Sequence, residues 1–147
     1  VQTGELVAIK EPNSNDYALG SIRWIKTNRN KAIEIGLELI APKAEAVAIR
    51  ILNKTGDNGE FLRGLYIPAM PAAGLAETLI LPIVPFKLGS KAELVNESSQ
   101  QRIQLLQRHH ASRSYVQYSY KSLNKIAAQV ETKDLGEDDF DSIWDKL

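Results

Sequence analysis

Apolar and polar side chains alternate at every second position through most of the chain before Leu123, the period of a half-buried strand rather than of a helix. The clearest case is Ala32–Ile40. Ile33, Ile35, Leu37 and Leu39 fall on one face there, and Glu34, Gly36 and Glu38 on the other. A helix would scatter these residues around its circumference, so the pattern predicts a strand with one face in a core. The same period predicts strands over Gly4–Lys10, Tyr17–Lys26, Ala46–Leu52, Phe61–Ile67, Lys91–Val95, Arg102–Arg108 and Ser114–Tyr120, with a short extended piece at Phe86–Lys87.

Turn chemistry separates these runs. Glu11–Asp16 gathers Pro12, Asn13, Ser14, Asn15 and Asp16, residues that set φ or hydrogen-bond their own backbone. Thr27–Asn30 and Asn53–Glu60 are read as loops for the same reason. Between Pro68 and Pro85 only Glu77–Leu81 looks extended, and because proline cannot donate to a ladder this stretch is expected at a sheet edge or in a crossover. Many short strands with regular turn signals predict an all-β, antiparallel barrel. The expected organisation is a first set of strands over 1–55 and additional β-strands packed on it over 56–125, forming a second small barrel. An acidic tail with a short helix follows over 126–147.

Composition narrows the chemistry. Hydrophobic residues make up 44% and charged residues 24% of 147, as in a soluble globular domain. No apolar run reaches the length of a membrane span, so no membrane partner is expected. With Cys 0 there is no thiolate nucleophile or thiolate metal site, and His109 and His110 are the two histidines. Adjacent strand residues point to opposite faces, so these two cannot share one site, and neither a catalytic set nor a metal site is expected. A binding protein without enzymatic activity is predicted.

The net charge of +0 hides an uneven distribution. Residues 131–147 hold Glu131, Asp134, Glu137, Asp138, Asp139, Asp141 and Asp145 against Lys133 and Lys146, which leaves the rest of the chain basic. Arg102, Arg108, Arg113 and Lys121 lie in a stretch without acidic residues, and Tyr115 sits among them. Basic residues interleaved with tyrosine can hold phosphates and stack on bases, so these five are the candidate ligand-binding residues and a nucleic-acid-binding barrel is the alternative reading. Alternation puts Val116, Tyr118 and Tyr120 on one face, expected to be core, and Tyr115 on the other. In the tail, Phe140, Ile143, Trp144 and Leu147 are spaced as one helical face. Such an acidic segment suits docking to a protein partner or packing back on its own barrel.

The segment Gly20-Ser21-Ile22-Arg23-Trp24-Ile25, its polar turn, and Ile35-Gly36-Leu37-Glu38-Leu39 resemble the late hairpin of PilZ domains, which reads roughly V-R-W, turn, I-G-V-E-F. Gly4–Ile9 resembles the strand before that hairpin, so the likeness covers residues 4–52. The resemblance implies a small bacterial β-barrel used in cyclic di-GMP signalling. It also implies ligand motifs, Arg-x-x-x-Arg and Asp/Asn-x-Ser-x-x-Gly, upstream of the matched hairpin and hence before Val1. Within the chain, Arg108 and Arg113 are one residue too far apart for the first motif, and Gln101 stands where the second, begun at Asn96, requires Gly. The expectation is a cytoplasmic interaction module without a cofactor of its own. Its complete parent would bind cyclic di-GMP, or the module has lost the nucleotide and keeps protein contacts.

Overall fold

The computed structural model describes residues 1–123. Strands β1 (Leu6–Lys10), β2 (Tyr17–Thr27) and β3 (Ile33–Ala41) form a three-stranded antiparallel sheet with β2 in the centre. The six strands that follow are β4 (Glu45–Ile51), β5 (Leu62–Ile67), β6 (Thr78–Pro82), β7 (Lys91–Val95), β8 (Gln100–Ala111) and β9 (Tyr115–Ser122). They close into an antiparallel barrel in the order β4-β5-β6-β9-β8-β7. The all-β, antiparallel architecture is as the alternation predicts. Closure, however, occurs in the second part of the chain. Three strands are too few to curl round a core of side chains, whereas six can.

Strand β4, grouped by the sequence with the first strands in 1–55, pairs instead with β5 and β7, through Val47↔Gly64 and Ile49↔Leu94 among others. The sheet therefore ends at Ala41, and the short link to Glu45 leads directly into the barrel.

Alternate residues of the six barrel strands fill its interior. Val47, Ile49, Leu79, Leu81, Ala92, Leu94, Ile103, Leu105, Val116 and Tyr118 form one buried cluster. Phe86 joins it from a loop, not from a strand as expected, and the Tyr118 hydroxyl donates to the Phe86 carbonyl at 3.3 Å. A second cluster joins the two parts. Leu19 and Ala41 of the sheet pack against Ile67, Ile80 and Tyr115 on the outside of the barrel, with Leu6 and Leu65 alongside.

Strands β6 and β9 are thus covered on both sides, which explains the unbroken burial of Thr78–Leu81 and of Tyr115–Tyr118. The proline-flanked stretch is accordingly not an edge. Strand β6 lies between β5 and β9, and Pro82 ends it opposite Tyr115, where the ladder stops. Proline's restriction applies to its own position and does not demote the four residues before it.

Candidate functional site

Among the described residues, β3 carries a run of four exposed apolar side chains on one face. Ile33 is 68% exposed and Leu39 61%, Ile35 and Leu37 are close to half exposed, and none of the four enters either core cluster. The strand is where the alternation places it, but among the described residues its apolar face has no covering layer. The outer edges of β1 and β3 have no strand partner there either. On the other face, Trp24 lies across Gly36, its cross-strand partner. A Cβ at Gly36 would overlap the Trp24 indole, so a side chain there requires the ring or the strand to shift. The Lys26 ammonium stands 5.0 Å from the indole, and Arg23 forms an ion pair with Glu38.

The five basic-region candidates do not share one surface. Tyr115 is 2% exposed, because the face opposite Val116 is covered by the three-stranded sheet, and it cannot stack on a base. Arg102 and Lys121 lie towards one end of the β8–β9 ladder, near Ile103↔Ser122. Arg108 lies towards the other end, and Arg113 is in the turn beyond it. Six strand residues span roughly 20 Å, which separates Arg102 from Arg108. All four cations are exposed, and among the described residues none is in an ion pair. Nor do the described residues contain a cluster of three or more metal-ligating His, Cys, Asp or Glu. His110 instead packs its ring on Tyr115, with centroids 5.7 Å apart.

The β8–β9 turn is fixed to the beginning of the chain. The hydroxyls of Ser112 and Ser114 donate to the Gly4 carbonyl at 3.1 and 3.0 Å. Gly4 adopts φ +88, where glycine carries no steric cost, and a Cβ there would lie 3.7 Å from that of Ser112.

Comparison with known proteins divides the chain where the fold does. Residues 1–46 match the middle PilZ domain of the cyclic-di-GMP receptor FimW, and residues 47–123 match the FimW C-terminal beta-barrel domain. The chain belongs to the FimW family. A curated relative, the cyclic-di-GMP receptor FimW of Pseudomonas aeruginosa, is 32% identical over 155 residues, covering 100% of this chain. The chain spans 26% of that relative's length. No solved structure matches it. The PilZ resemblance of the first strands is therefore sound, and Ile22, Arg23, Trp24 and Ile35–Glu38, which carry it, lie in β2 and β3.

The FimW-type barrel has two further features that sequence reasoning did not find. At the end of the barrel remote from the β8–β9 turn, a polar cavity of about 490 Å³ is lined by Glu45, Tyr66, Glu77, Gln101, Tyr120 and Ser122, with others. The Tyr66 hydroxyl donates to Glu77 Oε2 at 2.6 Å. Burial pushes the Tyr66 phenol up to about 12, helped by that bond and by the Glu77 and Glu45 charges. Burial also raises Tyr120, with Glu77 and Tyr66 adding to it. Tyr66 and Glu77 are on opposite sides of the β5–β6 connection and share no sequence spacing that would mark them as partners. The second feature is an apolar cleft of about 490 Å³ between sheet and barrel, lined by Leu6, Arg63, Leu65, Ile80 and Tyr115 among others. The tail residues Phe140, Ile143, Trp144 and Leu147 lie outside the described residues.

Proposed function

We propose that this chain is the non-catalytic PilZ and barrel portion of a bacterial, cytoplasmic cyclic di-GMP receptor, and that the residues gripping the nucleotide precede Val1. The observation that carries this reading is the state of the β1–β3 sheet. It matches a PilZ domain of a cyclic-di-GMP receptor, yet its apolar face and both outer edges are open among the described residues. A preceding segment with alternating apolar residues would both cover that face and extend the ladder. An edge strand left open in this way invites pairing with another chain, so completion by a neighbouring segment favours a soluble, single state. The barrel supports the sheet through Leu19, Ala41, Ile67, Ile80 and Tyr115 and supplies no chemistry of its own in this reading. The acidic segment with Phe140, Ile143, Trp144 and Leu147 is assigned to contacts with a protein partner, on its charge and the spacing of its apolar residues.

Calorimetric titration with cyclic di-GMP, of this chain and of a form extended upstream in the native gene, tests the proposal. Binding by the extended form alone is the expected result. Binding by neither form would overturn the receptor reading, and binding by the short form would place the site within Val1–Leu147.

A further inference from the structure

We infer that the end of the barrel remote from the β8–β9 turn binds a small organic cation, an alkyl guanidinium or ammonium, between the carboxylates of Glu45 and Glu77. The inference goes beyond the function proposed above, which gives the barrel no ligand.

Every second residue of each barrel strand faces the interior. Towards this end the inward series turns from apolar to polar on all six strands. Ile49 and Val47 lead to Glu45, and Leu81 and Leu79 lead to Glu77. Ala92 and Leu94 lead to Asn96, and Leu105 and Ile103 to Gln101. Gly64 is followed by Tyr66, which stands opposite Glu45 in the ladder, and Tyr118 by Tyr120 and Ser122. These polar groups line the cavity of about 490 Å³, a size within the usual range for small-molecule sites, which also occur in the mouths of barrels. At the opposite end Phe86 packs into the core from the loop between β6 and β7.

Glu45 and Glu77 are the charged residues of the lining. Lys43 lies 3.9 Å from Glu45 and 3.6 Å from Asp16, but it is exposed and outside the lining. Arg102 and Lys121 adjoin Gln101 and Tyr120 in sequence, so alternation turns them outward. Glu97, in the turn between β7 and β8, adds negative charge at the same end. The Ser122 hydroxyl oxygen, on the cavity wall, is buried and has no hydrogen-bond partner among the described residues. A guanidinium or ammonium carries N–H donors for both carboxylates, for that oxygen and for the Gln101 side-chain carbonyl. Asn96 Oδ1 is already taken by the N–H groups of Ser98 and Ser99. The rings of Tyr66 and Tyr120, with Val47 and Leu94, suit the alkyl stem of such a cation. A metal ion suits the donors less well, because the described residues hold no cluster of three or more His, Cys, Asp or Glu that could ligate one.

Calorimetric titration of the chain with agmatine, an alkyl guanidinium that ends in an ammonium, tests the inference, with the melting temperature of each variant read beside it. Saturable binding at one site is the expected result. Glu77→Gln is expected to weaken it roughly tenfold, as for loss of one charge-assisted hydrogen bond. Glu45→Gln, at an exposed position where the fold is retained, should weaken it by a similar factor. Glu97→Gln, at the same end but outside the lining, should leave affinity unchanged. No binding of agmatine by the wild-type chain would overturn the inference, as would wild-type affinity in both Glu45→Gln and Glu77→Gln. An equal loss from Glu97→Gln would also overturn it, in favour of diffuse attraction to an acidic end. Binding of a tripeptide with a central arginine, but not of agmatine, would overturn it in favour of a side chain from a protein partner.

Discussion

Gly36 makes room for the indole of Trp24, its cross-strand partner. The indole occupies the space where a side chain at position 36 would stand, so Gly36→Ala must displace either the ring or the strand. Because Trp24 is 44% exposed, its ring has solvent to move into, so the cost is expected at the low end of overpacking, about 1 kcal/mol, with a small fall in melting temperature. Trp24→Ala in the same chain should recover most of the Gly36→Ala loss, which a double-mutant cycle would read directly. Tyr66 gives a pH signature. Its phenol titrates near 12 in the folded chain and near 10 when unfolded, so the folded state favours the protonated form. That contribution is complete below pH 10 and is lost as pH rises from 10 to 12. Tyr66→Phe should flatten the decline in a melting series over this window. Leu79 is wholly buried in the barrel core, and Leu79→Ala should cost about 2–5 kcal/mol by thermal unfolding.

At the scale of elements, much of the fold was legible. Period-two alternation marks β7 at Lys91–Val95, the bounds it has in the structure, and it marks β3 without ambiguity. What escaped depends on contacts distant in sequence. That Ala48 pairs with Val95, and not with the first three strands, is decided by barrel closure and leaves no local trace. Tyr115 looked available because alternation assigns a face but does not reveal what lies beyond it. For the site, the PilZ hairpin was visible in the Trp24 and Gly36 pattern, whereas the Tyr66–Glu77 bond and the Gly4 anchor required the fold. The open face of β3 makes a prediction at this scale. Leu39→Ser should shift the melting temperature of this chain very little, because the side chain is already 61% exposed, and should lower its binding of a hydrophobic dye such as ANS. In a form extended upstream, the same change should cost about 2 kcal/mol or more if that face becomes core.

For the molecule as a whole, the sheet and the barrel are held together by a small apolar cluster and by hydroxyl bonds to one carbonyl. Leu19→Ala should therefore weaken the docking of the sheet while leaving the barrel core intact. Hydrogen exchange would then show faster exchange in β1–β3 and unchanged protection in β7 and β8.

The Gly4 anchor also bears on the order in which the chain acquires its structure. Gly4 and Ser112 are 108 positions apart, and β6 has β9 as its neighbour on one side. Both the seat of the first sheet and the seam of the barrel therefore wait for the β8–β9 hairpin. During synthesis β1–β3 leave the ribosome long before the barrel strands that support them exist. Such long-range closure slows folding and exposes surface that aggregates. A chain stopped before Tyr115 would lack the strand that completes both cores, so β9 is the strand that permits β1–β3 to settle.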